Sequence, residues 1–274
     1  MILRADARAI PLAAGSVQCV VTSPPYRGLR DYGIQEQLGL EAIPEGYVAA
    51  LVDVFREVWR VLRDDGTLWL NLGDCYNAYN GGSGPSSRID HPLNERNRQK
   101  PSVPTGFGLR NKGLKPKDLV GIPWRVAFAL QADGWYLRSD IIWAKPNPMP
   151  ESVTDRPTKA HEYIFLLTKS ERYVYDAEAI KEEGVVWYSR NRRSVWVIPS
   201  QPYPEAHFAT FPEALVEPCV LAGSPEGARV LDPFAGSGTV GQVCHRLGRR
   251  FVGLELSPAY CRLAYARTAQ LGLI

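Results

Sequence analysis

The chain has 274 residues, enough for one large domain, and its 45% hydrophobic and 22% charged residues are ordinary proportions for a soluble globular protein. A net charge of +3 permits nucleic-acid binding without requiring it, and five scattered cysteines with no Cys-x-x-Cys pair indicate neither a disulfide framework nor a structural zinc site. Residues 1–10 lack a signal-peptide core and no apolar run approaches the roughly 20 residues of a membrane helix, so we expect a reduced, cytoplasmic protein.

Apolar runs alternate with segments of helical periodicity along the chain, which predicts a mostly parallel sheet with helices on both faces. Short runs of buried-type residues indicate the strands, and apolar residues three and four apart indicate the helices. In chain order we predict a strand at 17–21, a helix at 44–62, a strand at 67–72, a helix at 119–132, strands at 135–143 and 161–168, a helix at 212–222, a strand at 229–231, a helix at 237–247, a strand at 250–256 and a helix at 258–270.

One long stretch, residues 81–117, interrupts this alternation. It is rich in Gly, Pro, Ser and Asn, and it carries eight basic residues against two acidic ones. A loop of this length inside a compact domain is usually functional or disordered, and phosphate neutralisation drives nucleic-acid affinity. We therefore predict a nucleic-acid-facing insertion, with a solvated loop of no function as the alternative. The candidate DNA-binding residues are Arg88, Arg96, Arg98, Lys100, Arg110 and Lys112, joined by a second cluster of Arg190, Arg192 and Arg193.

A glycine-rich turn follows the predicted strand at 229–231 and opens the next helix. Its sequence at 231–239 is Leu-Asp-Pro-Phe-Ala-Gly-Ser-Gly-Thr, where small residues let the backbone approach a ligand and the helix start offers unpaired amides to a negative group. Glu255 ends the following strand, where an acidic residue suits ribose hydroxyls. A dinucleotide-binding turn and simple tight packing are the alternatives. The turn and Glu255 together predict an adenosine-containing ligand.

The tetrapeptide Ser23-Pro24-Pro25-Tyr26 lies at the carboxyl end of the first predicted strand, where open parallel sheets bind ligands. An exocyclic amine of adenine or cytosine is a weak nucleophile, because its lone pair is delocalised into the ring. The Ser23 hydroxyl and the Pro24 carbonyl are candidates to accept its N–H protons, and Tyr26 offers a flat face to an extruded base. The alternative is that the two prolines only end the strand.

These blocks resemble the amino-methyltransferases of bacterial restriction-modification systems and phages, which act on cytosine N4 or adenine N6. The tetrapeptide at 23–26 matches the family's catalytic motif, the turn at 232–238 its cofactor loop, and 208–212 the segment that closes over the methionine moiety. Blocks at 141–147 and 160–162 match others near the base pocket. The resemblance implies that S-adenosyl-L-methionine is held by Asp6, Thr210, Phe211, Asp232, Phe234, Ala235, Gly236, Ser237, Gly238 and Glu255.

The resemblance also implies an α/β, Rossmann-like S-adenosylmethionine-dependent methyltransferase fold with a seven-stranded, mostly parallel sheet. Because the catalytic block precedes the cofactor loop, the order resembles the circularly permuted beta class. We expect one catalytic domain at 1–274, in which 81–117 or a short segment at 173–204 recognises double-stranded DNA. A restriction endonuclease partner fits such systems.

Three points of chemistry remain, which are the target base, the role of Cys219, and the roles of His161 and Glu162. Ser23 resembles the cytosine-N4 enzymes, so that base is preferred over adenine N6, and a catalytically lapsed DNA-binding module is the alternative of another class. Pro218-Cys219 is reminiscent of cytosine-C5 chemistry, but its apolar helical setting favours a buried core cysteine. His161 and Glu162 are read as residues that shape the pocket or support the fold.

Overall fold

The computed structural model describes residues 1–28, 33–34, 36–77, 113–184, 188–201 and 211–269. Its main sheet contains β1 Ile2–Arg4, β2 Val17–Thr22, β3 Leu62–Leu72, β4 Tyr136–Ala144, β5 His161–Thr168, β8 Val195–Val197, β9 Arg229–Asp232 and β10 Arg250–Glu255, while β6 Glu182–Glu183 and β7 Ser189–Arg190 form a separate pair. The helices are α1 Pro44–Val61, α2 Ile122–Ala132, α3 Glu213–Gly223, α4 Thr239–Arg246 and α5 Pro258–Ala269, with a 3-10 turn at Glu178–Ile180.

The strands of the main sheet lie in the order β1-β10-β9-β2-β3-β5-β4-β8. All neighbouring strands are parallel except that β5 runs antiparallel to both β3 and β4. The amino end of β5 therefore lies at the same edge as the carboxyl ends of the other strands. This topology brings His161 and Glu162, which open β5, to the edge where the tetrapeptide and the glycine turn lie.

Within the described residues the main sheet has eight strands, not the seven expected. Strands β1 and β8 were not predicted, because three residues are too few to show a period-two pattern. In β8 only Trp196 is buried, and its ring lies 6.4 Å from that of Trp69, while Val195 and Val197 stay exposed. Backbone hydrogen bonds flank the pairing of β8 with β4, from the Ile142 amide to the Ser194 carbonyl at 2.8 Å and from the Ile198 amide to the Ala144 carbonyl at 3.1 Å.

Helix α2 begins at residue 122 and not at the predicted 119. The carboxylate of Asp74, which follows β3, accepts hydrogen bonds from the amides of Gly121 and Ile122 at 2.9 and 3.0 Å. These are amides that a helix start leaves without an internal partner. A side chain 47 residues away in sequence therefore caps the helix, and Pro123 in its first turn is the local signal for a start near residue 122.

Helices cover both faces of the sheet, as the alternating pattern predicts. Helices α1 and α2 pack on one face through residues such as Phe55 and Val126, and α3 and α4 pack on the other through Val216 and Val240. Cys219 of α3 is 1% exposed, and its thiol donates to the Leu215 carbonyl at 3.3 Å. Burial also raises the pKa of this thiol well above its usual value. The prediction of a buried core cysteine is confirmed. Among the described helices, none is long and apolar enough to cross a bilayer.

Candidate active site

A cavity of about 720 Å³ opens at the carboxyl edge of the sheet, within the usual size of a small-ligand pocket. Because parallel strands end at one edge, segments far apart in sequence meet there. The residues predicted from sequence that line it are Asp6, Ser23, Pro24, Pro25, Tyr26, Phe211, Phe234, Ala235, Gly236, Ser237 and Glu255. The tetrapeptide at 23–26 and most of the residues predicted to bind the cofactor therefore share one cavity.

The glycine turn requires its two glycines for different reasons. Gly236 has a φ of +51°, and a Cβ built there would meet only the Phe234 carbonyl oxygen, at 3.8 Å, so it would project into the cavity space that a ligand needs. Gly238 has a φ of +83°, and its Cβ would come 3.2 Å from Ala264 in helix α5. Gly236 thus keeps the ligand side open, and Gly238 allows close packing of the helices behind the turn.

Glu255 closes β10 and places its carboxylate in the cavity wall. The amides of Gly236 and Ser257 donate to its two oxygens at 3.0 and 2.7 Å. A carboxylate has about four acceptor positions, so two remain for hydroxyl groups of a ligand. Burial raises the pKa of Glu255 above its ordinary value, in spite of these amides. The arrangement suits a vicinal diol, such as that of a ribose.

Asp232 and Gly238, expected among the cofactor contacts, do not line the cavity. The Asp232 side chain lies beneath the turn with 1% exposure, and its Oδ1 accepts hydrogen bonds from Thr22 Oγ1 at 2.7 Å and from the Phe234 amide at 3.0 Å. Thr22 directly precedes the tetrapeptide at 23–26. Asp232 therefore ties the ends of β9 and β2 together and sets the position of the tetrapeptide against the glycine turn.

We expect Asp232→Asn to change how stability depends on pH. Burial, with a smaller contribution from the Glu255 charge, raises the pKa of Asp232 to about 7. Since the folded state holds this proton more tightly than the unfolded state, the contribution of Asp232 to stability is present at low pH and is lost as pH rises toward 7. Urea denaturation should therefore show that the free energy of unfolding falls between pH 5 and pH 7 by roughly 2 kcal/mol more in the wild type than in the variant. Equal losses in the two proteins would contradict a buried, protonated Asp232.

A hydrogen-bonded network surrounds the Tyr26 hydroxyl. It donates to Glu162 Oε2 at 2.7 Å and accepts from Ser23 Oγ at 3.4 Å, and Asn71 Oδ1 lies 3.1 Å away. Burial and the Glu162 charge raise the pKa of Tyr26 well above its usual value, so the hydroxyl keeps its proton. The ring edge packs on Gly73, where an added Cβ would lie 2.5 Å from Tyr26 Cε2. Both ends of the side chain are therefore held.

Glu162 is held in turn by Lys145, which follows β4. The two form an ion pair with both side chains less than a fifth exposed, and the Lys145 ammonium lies 4.1 Å from the centre of the Trp143 ring. Both residues line the cavity. His161 instead packs edge-on against Tyr163, with 5.3 Å between ring centres. Of the pair left open in the sequence, Glu162 shapes the pocket and His161 supports the fold.

The basic cluster at 190–193 lies away from the cavity. Arg190 and Arg193 share Glu182 Oε1, at 2.8 and 2.7 Å, and the Arg192 guanidinium lies 4.7 Å from the centre of the Trp196 ring. None of the three lines the cavity. The predicted residues Arg88, Arg96, Arg98, Lys100, Arg110, Lys112 and Thr210 lie outside the described residues. Within the described ranges, no group of three or more His, Cys, Asp and Glu side chains could hold a metal ion.

Sequence reasoning missed two residues that support the site. Asn71 interrupts the apolar end of β3, and a single polar residue in such a run was a usable signal. Arg267 of α5 gave no such signal; it donates to Ser237 Oγ at 3.0 Å and Thr239 Oγ1 at 3.1 Å. Its long-range contacts hold the helix start that follows the glycine turn.

Comparison with known proteins agrees with this geometry. A family model described as DNA methylase matches residues 17–266. The chain belongs to this DNA methylase family. It is 55% identical over 258 residues to the Type II methyltransferase M.Cfr9I of Citrobacter freundii, an alignment that covers 93% of this chain and 82% of that relative.

Two solved structures share the fold of this DNA methylase. PvuII DNA methyltransferase, named as cytosine-N4-specific, has a TM-score of 0.71 at 18% identity, with 99% of this chain and 89% of that chain covered. A DNA modification methylase from Thermus thermophilus, solved in complex with S-adenosyl-L-methionine, has a TM-score of 0.64 at 25% identity and covers 98% of this chain and 93% of that chain. Family and fold together confirm an α/β, S-adenosylmethionine-dependent DNA amino-methyltransferase.

Proposed function

We propose that the protein is a site-specific methyltransferase of duplex DNA that methylates N4 of an extruded cytosine. Adenine N6 is the alternative base. The observation that carries the proposal is that Ser23-Pro24-Pro25-Tyr26 and the Gly236–Glu255 pair line the same cavity. A methyl donor and a base bound there would lie side by side, which is the condition for direct transfer between them.

The cavity fits S-adenosylmethionine through its donor set and its shape. We propose that Glu255 accepts the ribose hydroxyls, that Phe211 and Phe234 supply apolar surface, and that Asp6 lies near the adenine. The Asp6 carboxylate is held by the Arg8 guanidinium at 2.6 Å. The bound cofactor supplies an activated methyl group on a sulfonium. The glycine turn keeps this side of the cavity open, because its wall carries no side chain at Gly236.

At the base, the tetrapeptide makes the amine a better nucleophile by accepting hydrogen bonds from its N–H groups. The Ser23 hydroxyl donates toward Tyr26, which leaves its oxygen lone pairs for an amine N–H. The Pro25 carbonyl accepts from Tyr47 Oη at 2.8 Å, and we propose the Pro24 carbonyl as the second acceptor for the amine. We propose that the Tyr26 ring stacks on the base and that Glu162 holds this ring in place by its hydrogen bond.

The preference for cytosine rests on Ser23. A serine at the first position of the tetrapeptide resembles cytosine-N4 enzymes, whereas Asp or Asn is more typical of adenine enzymes. The PvuII enzyme, whose name states cytosine-N4 specificity, shares the fold of this chain. Both bases present the same amidine-like edge, and the identity of the methylated nucleoside distinguishes them.

Further parts of the proposal concern DNA and the cellular setting. We propose that the chain acts as a single domain in the cytoplasm, where the basic insertion at 81–117 and the segment at 173–204 contact double-stranded DNA. Arg193, with 67% of its side chain exposed, is the most open of the second basic cluster. We also propose a restriction endonuclease as partner, since a relative at 55% identity is named as a Type II methyltransferase.

Nucleoside mass spectrometry of DNA incubated with the protein and S-adenosylmethionine tests the proposal. We expect N4-methylcytosine, at positions that share one short sequence when mapped. N6-methyladenine would instead establish the alternative base. DNA that is bound but carries neither product would indicate a binding module and contradict the proposed activity.

A further inference from the structure

Met149 lies at the mouth of the cavity with its side chain almost entirely in solvent. It is 86% exposed, the highest value among the large hydrophobic residues of the described chain, and it lines the same cavity as Tyr26. Isolated exposed apolar residues are common and mean little alone. Met149 differs from such isolated residues in two ways. It lies beside the base pocket, and its loop is held in a fixed geometry.

The loop that carries Met149 is fastened at both ends. Before it, Asn147 Nδ2 donates to the Ser200 carbonyl at 3.1 Å, and the Ser200 amide donates back to Asn147 Oδ1 at 2.8 Å. After it, Glu151 Oε2 accepts from Arg156 at 2.7 Å and from the Lys159 amide at 3.3 Å. These bonds hold the backbone of the loop without any burial of its tip.

Proline restricts the loop further. Residues 146, 148 and 150 are proline, so the methionine is flanked on both sides by residues of fixed φ. Its flanks therefore lose little backbone freedom when the tip meets a partner. Met149 follows Lys145, which lines the base pocket, by four residues. Four residues of extended chain span at most about 14 Å, so the loop tip lies within that distance of Lys145.

A base that leaves the duplex opens a gap in the stack, and the loss of pairing and stacking costs free energy. Proteins that unstack DNA insert apolar side chains such as methionine between base steps. Methionine suits this place, because its thioether is polarisable and its chain is flexible enough to fit between base planes. A charged or short side chain would not fill the gap.

We propose that Met149 enters the duplex at the target step and fills the space that the extruded base leaves. This inference rests on the proposed function, since it assumes a base held beside Tyr26. The partner is duplex DNA at the methylation site. Burial of Met149 then happens in the complex, which accounts for its exposure in the free protein.

The experiment compares single-turnover methylation of two duplexes that contain the mapped target sequence. One is fully paired, and the other has an abasic site opposite the target base, so that the base is already unpaired. The variants are Met149→Ala, Met149→Leu and Tyr265→Ala, the last being a 67% exposed side chain that does not line the cavity. Thermal melting confirms that each variant is folded.

On the paired duplex we expect Met149→Ala to methylate about tenfold or more slowly than the wild type. No side chain then fills the gap, so the free-energy cost of opening the base pair is no longer offset. On the abasic duplex it should stay within about twofold of the wild type, and Met149→Leu and Tyr265→Ala should stay near wild type on both. Equal losses on both duplexes, or no loss on the paired one, would overturn the inference. Failure of the wild type on both duplexes would instead contradict the proposed function, and the inference with it.

Discussion

Tyr26→Ala is expected to reduce single-turnover methyl transfer roughly 1,000-fold while leaving the protein folded and able to bind S-adenosylmethionine. Two losses combine in this variant. The base loses its stacking surface, worth about 1–3 kcal/mol, and the reacting nitrogen loses its alignment, where a displacement of about 1 Å costs on the order of 100-fold. The cofactor residues on the turn and Glu255 are unchanged, so binding of the cofactor alone should be kept.

Tyr26→Phe separates the ring from the hydroxyl. The phenylalanine ring still stacks, but Glu162 loses the donor that lies 2.7 Å away and Ser23 loses its acceptor. We expect the rate of methyl transfer to fall by about tenfold, while DNA affinity stays largely unchanged. A loss as large as that of Tyr26→Ala would mean that the hydroxyl, and not the ring, is the essential part.

A matched control variant and a second variant that displaces the Tyr26 ring also test its proposed stacking on the base. Tyr136→Ala removes an exposed tyrosine at the other end of β4, away from the cavity, and should leave transfer unchanged. Gly73→Ala should mimic part of the Tyr26 loss, because the added Cβ would come 2.5 Å from the ring and push it into the base pocket. If transfer by Tyr26→Ala stayed within about threefold of the wild type, the base would stack elsewhere.

The sequence predicted the elements around the cavity well where a motif directly follows a buried strand. Ser23 to Tyr26 follow a six-residue strand that is fully buried, as the apolar run indicated, and β5 occupies the predicted 161–168. A buried strand and the turn behind it are local features, so residue order alone is enough to place them. The shared edge of a parallel sheet then brings such turns together.

Contacts between distant residues lay beyond sequence reasoning. The Thr22–Asp232 hydrogen bond joins residues 210 positions apart, and it assigns Asp232 to the support of the site and not to its wall. The start of α2 depends on Asp74 in the same way. The two strands of the main sheet that the sequence did not predict are each three residues long and gain their stability from neighbours, so their existence is a property of the assembled sheet.

Glu255→Ala is expected to weaken binding of S-adenosylmethionine roughly 100-fold in calorimetry, because hydrogen bonds to a charged group are worth about 1.5–3 kcal/mol each. Glu255→Gln keeps one oxygen acceptor and loses the charge, so an intermediate loss of about tenfold is expected. Glu178→Ala, which removes a carboxylate with 78% of its side chain exposed, is the matched control and should bind as the wild type does. If Glu255→Ala bound S-adenosylmethionine within about threefold of the wild-type affinity, the ribose would lie elsewhere in the cavity.

The pH dependence of this binding gives a second test of the same carboxylate. Burial raises the pKa of Glu255, so the charged form that accepts two hydroxyl donors is lost at a higher pH than for an exposed glutamate. Affinity of the wild type should therefore fall as the solution is acidified through this raised pKa, and it should be constant above it. In Glu255→Gln that fall should disappear, since no proton is taken up at this position. A wild type and a Gln variant with parallel pH profiles would show that the cofactor is held without the Glu255 charge.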